Sequence, residues 1–476
     1  MNHFETPLLN QLLVHKQKNP ISFHVPGHKF GEIFPIQGHT YFKDILRLDA
    51  TEITGLDDLH APEGAILEAE KLLAGLYKVK KSFFLINGST SGNLAMIMGT
   101  VKEEDKVLVQ RNSHKSIMNG IRLAKARPVF LGPEYNPDWA VTGGVSIETI
   151  RKAIQMHPDA KAVILTHPNY YGMVYDLKKI IDLAHQNGIP VLVDEAHGVH
   201  FIAGEPFPAS AVSLGADVVV QSAHKTLPAM TMGAFLHYNS SLIPMQQINY
   251  YLQVLQSSSP SYPIMASLDA ARSYLGTFKV DDKSYLLDEI EAFKHNLKDL
   301  DGIRLLSSDR TDPLKMTMQS TNGLSGFALQ KLFEAEGVYT ELADPANVLF
   351  VLPLLKKGMD YRFVQASKKI AHAVKQIPPG RKKREKLYVK NEEISTLEIN
   401  YKSMDRLPTE TVLLKESAGR ISAEMIIPYP PGIPLCFPGE MITTEKLEML
   451  NYLKNAGARF QGAQHLDAGK VSVFIF

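Results

Sequence analysis

Ile189-Pro190-Val191-Leu192-Val193-Asp194-Glu195-Ala196-His197-Gly198 decides the fold. The apolar run from Ile189 to Val193 is too short for a helix and does not alternate. It reads as a strand buried on both faces, with Asp194 at its carboxyl end. Working outward, further runs of this kind occupy 82–86, 106–110, 127–131, 161–166, 217–221 and 233–237. Helix-length segments lie between them at 62–77, 90–101, 146–156 and 176–186, the last with Asp176 as expected N-cap and Gly188 as stop. The alternation predicts an α/β domain, a mainly parallel seven-stranded sheet covered by helices. Its ligand belongs at the carboxyl ends of the strands.

After about residue 281 the rhythm changes. A long amphipathic helix over 283–300 is followed by a strand at 303–306, a helix at 325–336, a strand at 348–352 and a helix at 360–376. That pattern predicts a smaller α+β domain. The Pro/Gly break and basic run from Ile377 to Lys386 read as a solvated linker, since no aromatic residue interleaves the charges. The expected division is 1–60, 61–280, 281–378 and 379–476.

Composition narrows the function. The 476 residues carry a net charge of +1, so no field of one sign suggests nucleic acid or a membrane surface as partner. No apolar run approaches the roughly 20 residues of a membrane span. The N-terminus lacks the basic and apolar stretches of a signal peptide. The single cysteine, Cys436, cannot form an intrachain disulfide and reads as a small buried hydrophobe; a reducing cytoplasm is expected.

The chemistry sits where the strands end. Ser222-Ala223-His224-Lys225-Thr226 follows the run 217–221, and Lys225 lies 31 positions beyond Asp194. A lysine past one buried strand and an aspartate at the end of a neighbour suit pyridoxal phosphate. The amine forms a Schiff base with the aldehyde. The carboxylate keeps the pyridine nitrogen protonated, which makes the ring an electron sink. Asn87-Gly88-Ser89-Thr90-Ser91-Gly92-Asn93 opens a helix after the first strand, and its backbone N–H groups and hydroxyls suit a phosphate. It lacks the lysine of a P-loop and the glycine spacing of a dinucleotide site. His114 follows the second strand and could stack on a flat ring. Thr166 could reach the phenolic oxygen, and Ala196 leaves room for the ring. His197 is placed among the cofactor contacts. Ser222 and His224 could reach the phosphate. His24 and His28 have the i, i+4 spacing of a metal pair, but Pro26 and Gly27 between them rule out a regular helix, so no metal is expected.

Taken together, Phe23–Lys29, Thr54–His60, Asn87–Asn93, Arg111–Ser116, Asp194–His197, Ser222–Leu227 and the tail Pro428–Glu440 resemble the bacterial ornithine/lysine/arginine decarboxylases, fold type I (aminotransferase-like) pyridoxal-phosphate enzymes. The resemblance covers nearly the whole chain. It implies Lys225 as Schiff-base lysine, Asp194 as partner of the pyridine nitrogen, His114 as stacking histidine, and Ser89, Thr90, Ser91 and Ser222 with His224 around the phosphate. It implies a carboxy-lyase acting on arginine, lysine or ornithine, with a lean to arginine giving agmatine, and a role in polyamine metabolism. Lys225 or His224 would return the proton to Cα. A homodimer or tetramer with shared active sites is implied, residues 1–60 contributing to the interface. Longer members carry an N-terminal receiver-like wing; the motifs here begin near residue 20, so a ring-shaped decamer is not expected. A basic substrate needs an acid, and Glu440 on the proline-rich loop comes first, with Asp57, Asp58, Glu416 and Asp344 behind it.

Two other readings stay open on the residues alone. A fold type I aminotransferase or lyase shares the lysine and aspartate, and Arg362, Arg420 or Arg459 could grip a carboxylate. A non-catalytic regulator on the same fold would be expected to lose Lys225 or Asp194, and both are present.

Overall fold

The structure, a computed structural model, describes residues 1–378, 392–429 and 432–476. From residue 379 on, the expected linker lies outside the described residues, as do Pro430 and Pro431. The chain forms two compact units, each made of two separated stretches: Met1–Thr100 with Pro190–Lys279, and Val101–Ile189 with Val280–Phe476. The break at 279/280 falls beside the expected boundary after residue 280, and those at 100/101 and 189/190 fall inside the expected 61–280 segment.

The strands that carry the site are β1 (Lys81–Leu85), β2 (Lys106–Gln110), β3 (Arg127–Leu131), β4 (Ala162–Thr166), β5 (Val191–Asp194), β6 (Val218–Gln221), β7 (Ala234–Tyr238) and β8 (Ile394–Thr396). The seven expected strands all form, within two residues of their expected bounds. They are buried on both faces, as their unbroken Val/Ile/Leu runs require; all five residues of β4 are buried. The sheet is mainly parallel as expected, with two added features. β7 runs antiparallel to both β1 and β6. The eighth strand, β8, pairs antiparallel with β3. Its three residues are too few to show a period in the sequence.

In the first unit β5 and β6 are parallel neighbours, with Asp194 opposite Val220. Helix Gly88–Met98 lies close against β1 and β6 because residue 92 is glycine. A Cβ there would stand 2.6 Å from Leu85 Cδ1 and 2.9 Å from Val220 Cγ1. Helix Tyr262–Gly276 carries a fully buried ion pair, Asp269–Arg272 at 2.8 Å, with both side chains 0% exposed. The pair fastens the N-terminal helix Pro7–Gln17. Asp269 accepts from the Leu8 N–H at 2.9 Å, and Arg272 donates to the Glu5 carbonyl. Two buried charges are tolerated because each is hydrogen-bonded as well as paired.

In the second unit β2 is parallel to both β3 and β4. Beyond residue 280, helix Val280–Lys298 precedes an antiparallel sheet of Ile303–Leu306, Lys315–Ser320, Asn347–Val351 and Leu342–Ala343. Helix Leu177–Gln186 starts after Asp176 as expected, but that side chain pairs with Lys179 at 3.2 Å and makes no capping bond. Gly188 ends it at φ +68°, where a side chain would be strained. Among the described residues no helix is long and apolar enough to cross a membrane.

Candidate active site

In the first unit, Asp194 and Ser222 stand at the carboxyl ends of adjacent parallel strands, and Lys225 follows in the short helix Ala223–Thr226. Asp194 is 3% exposed. Asn93 donates to its Oδ2 at 3.0 Å and the Ala196 N–H to its Oδ1 at 3.2 Å. A carboxylate so held cannot rotate away from the strand end. Lys225 Nζ lies 3.0 Å from His197 Nε2, so the amine has a basic nitrogen beside it. Ser222 Oγ donates to Ser89 Oγ at 2.8 Å, at the N-terminus of helix Gly88–Met98. Thr90 is exposed on that turn, while Ser91 donates to the Gly88 carbonyl at 2.8 Å and serves its own helix. His224 Nδ1 lies 3.1 Å from the Gly233 carbonyl.

Behind Asp194 lies a buried polar chain that the sequence did not announce. Glu195 accepts from Ser210 Oγ at 2.7 Å, the Ala211 N–H at 2.6 Å and Gln221 Nε2 at 2.6 Å. Burial pushes its carboxyl up to about 8. Gln221 Oε1 in turn accepts from His237 Nε2 at 3.0 Å, and Ser82 Oγ lies 2.8 Å from His237 Nδ1. Burial pushes that imidazole down to about 3, so it stays neutral. Tyr77 stacks on it with ring centres 4.0 Å apart.

Asp57 also belongs to the first unit, where its carboxylate accepts from backbone N–H groups. Its Oδ1 accepts from the Glu63 N–H at 2.9 Å, and its Oδ2 from Gly64 at 2.9 Å and Ile66 at 2.8 Å. It caps helix Ala65–Tyr77, whose first N–H groups have no partner within the helix.

The second unit holds His114, Thr166 and Glu440. Thr166 Oγ1 donates to Ser113 Oγ at 3.1 Å, joining the carboxyl ends of β4 and β2. His114 Nδ1 lies 2.8 Å from Ser116 Oγ and accepts from the Ser116 N–H at 3.3 Å, capping helix Lys115–Leu123. Glu440 is buried, and its Oε2 accepts from Arg111 at 3.0 Å, from the Phe437 N–H at 2.9 Å and from Lys446 at 3.2 Å. Its loop holds it rigidly, as expected, but against two cations of its own unit. Asp344 is likewise taken by Tyr171 and by Asn347 at 2.8 Å. Nothing local marks Arg111 in the sequence, because its partners lie more than three hundred residues away. Burial pushes the Cys436 thiol up to about 11, in keeping with an inert hydrophobe.

Two family models match the chain: "Orn/Lys/Arg decarboxylase, major domain" over residues 6–310 and "Orn/Lys/Arg decarboxylase, C-terminal domain" over residues 383–463. The uncharacterized protein YaaO of Bacillus subtilis is 45% identical over 481 residues, 99% of this chain and 98% of that one. An arginine decarboxylase of Halalkalibacterium halodurans is 35% identical over 477 residues, 97% of this chain and 96% of that one. Among solved structures, the Francisella novicida lysine decarboxylase LdcF aligns with a TM-score of 0.81 at 19% identity, over 100% of this chain and 82% of that one. That likeness speaks for the fold.

Proposed function

This chain belongs to the Orn/Lys/Arg decarboxylase family, and we propose that it removes the α-carboxylate of a basic L-amino acid, L-arginine first, as CO2. The carrying observation is the placement of Asp194 and Lys225 past the carboxyl ends of adjacent parallel strands. Arginine comes first because the 35% identical relative is named an arginine decarboxylase.

In this reading pyridoxal phosphate is the cofactor, and the donor set fits it. Lys225 supplies an amine, Asp194 a buried anion, and Ser89 and Ser222 two hydroxyls at a helix N-terminus. When bound, the group supplies an aldehyde for the amine and a ring that takes up the electron pair left by CO2. The chain's own residues do the rest. Asp194, fixed by Asn93 and the Ala196 N–H, stabilises positive charge at one defined place. Lys225 anchors the cofactor, and His197 takes or gives the amine's proton at Nε2. His224, tied to Gly233, holds the turn that carries Lys225. Ala196 leaves space for the ring; its position at a strand end assigns Thr166 to the same cofactor as a hydroxyl, and the family resemblance assigns His114 to it as an imidazole face.

The same reading makes the protein a homodimer of the cytoplasm in polyamine synthesis. An apolar stretch supports the dimer: Ile21, Phe23, Ile36 and Tyr41 are 87%, 95%, 85% and 85% exposed. So much exposed apolar surface within a short segment suits an interface.

The test is CO2 release from L-arginine, L-lysine and L-ornithine by the cofactor-loaded protein, with Lys225→Ala as control. Release from arginine that the variant loses supports the proposal. No release from any of them, with the cofactor bound, overturns it.

A further inference from the structure

Arg111 follows β2 and is 8% exposed. Its Nη1 donates to the Pro434 carbonyl at 3.0 Å, and its Nη2 to the Leu435 carbonyl at 3.1 Å and to Glu440 Oε2 at 3.0 Å. The Phe437 ring centre lies 4.0 Å from its Cζ. Segment 434–440 is therefore wrapped round a single guanidinium, and Glu440 closes the wrap by also accepting from the Phe437 N–H. Carboxylate and carbonyl groups spread over the planar fork are a geometry that an ammonium cannot match.

Three positions on stands His114, its ring fixed by Ser116. Gly432 begins the described part of the same loop at φ +90°, and a Cβ there would lie 3.5 Å from His114 Cδ2 and 3.7 Å from Nε2. The loop thus passes beside the imidazole at one end, close enough for an added methyl group to meet it, and is clamped by Arg111 at the other.

We infer that Arg111 is a positioning residue: with Glu440 it fixes loop 432–440, and through Gly432 it sets the place of the His114 imidazole. This rests on the proposed decarboxylase reading, in which His114 offers its face to the cofactor. It also gives Glu440 a task other than gripping the substrate. The Arg111 and Lys446 charges already face its carboxylate.

Hydrogen exchange on the protein without cofactor tests the coupling independently of catalysis. In Arg111→Lys, exchange should rise both in 432–440 and in 113–117. With the loaded enzyme, Arg111→Lys and Gly432→Ala should each alter the visible circular dichroism of the bound cofactor. Each should lower kcat by roughly ten- to a hundredfold, the scale of an ångström misplacement, with KM held within about twofold. Glu440→Gln should lower kcat and leave KM for the basic substrates unchanged. A loosened loop with 113–117 unmoved overturns the inference, as does Arg111→Lys with wild-type dichroism and kcat. A Glu440→Gln variant with intact kcat and a raised KM for basic substrates alone would return that residue to the substrate. Should Arg111→Lys fail to fold, Gly432→Ala decides: unchanged dichroism and kcat refute the coupling. A wild-type protein that releases no CO2 would sink the decarboxylase reading, while the exchange result would still judge the clamp.

Discussion

Arg272→Met should free the N-terminal helix without unfolding the rest of its unit. Arg272 and Asp269 are both 0% exposed, and the guanidinium reaches Asp269 Oδ1 through Nη2 at 2.8 Å and Nε at 3.2 Å. Methionine fills much of the same volume but leaves the carboxylate buried without its cation. Breaking a buried pair from one side costs about 3–5 kcal/mol. Burial already pushes the Asp269 carboxyl above its ordinary range, so proton uptake will trim that cost toward its lower end. The loss falls first on helix Pro7–Gln17, because Arg272 holds the His3 and Glu5 carbonyls and Asp269 holds the Leu8 N–H. Read as local opening, about 3 kcal/mol speeds amide exchange at Leu8 to Leu12 by roughly a hundredfold. Asp269→Asn combined with Arg272→Met should recover more than half of the loss, since no bare charge remains. Unchanged exchange in the helix, or a double variant as impaired as the single one, would refute the reasoning.

Asp194→Asn should retain the Asn93 contact yet lower CO2 release by about a hundredfold or more, because the ionic partner of the ring is gone; a tenfold change or less in kcat would argue against that role. Asp57→Ala should cost about 1–2 kcal/mol in thermal or urea unfolding, as a lost helix cap does, with KM unaltered; a KM rise with full stability would make it a substrate group. Burial raises the Glu195 carboxyl to about 8, whereas an unfolded glutamate ionises near about 4.3. Its contribution is whole below that lower value and is lost as pH climbs toward the upper one. Glu195→Gln should therefore flatten the fall of melting temperature across that window, and two parallel curves would contradict the assignment. Gly92→Val should destabilise the first unit, since its Cβ would meet Leu85 and Val220, and an unshifted melting temperature would count against that packing.

Much of this was legible in the chain, and the gaps have physical causes. Strands buried on both faces announce themselves as unbroken apolar runs, so β2 and β3 were placed to the residue. Lys315–Ser320 hid because it is fully buried yet carries Lys315, Thr317 and Gln319. Gln319 there donates to the Trp139 carbonyl at 3.2 Å and to Asn347 at 2.7 Å, bonds that no period reveals. The same limit applies at the site. The placement of Lys225 and Asp194 past the ends of adjacent strands was readable from position alone. The hold of Asn93 on Asp194 spans 101 residues, and that of Arg111 on Glu440 spans 329. Asp57 and Glu440 looked like spare acids because a sequence shows a charge and not its company.

The alternation of the chain between its two compact units sets a timetable for its birth. Lys81 pairs with Tyr238, so β1 waits for a strand made 157 residues later. At roughly 5–20 residues per second, that is about eight to thirty seconds in which the side chains of Phe83, Phe84 and Leu85 have no strand beside them. No contiguous half of the chain can shorten the wait. A ribosome stalled before residue 234 would leave that strand edge unpaired.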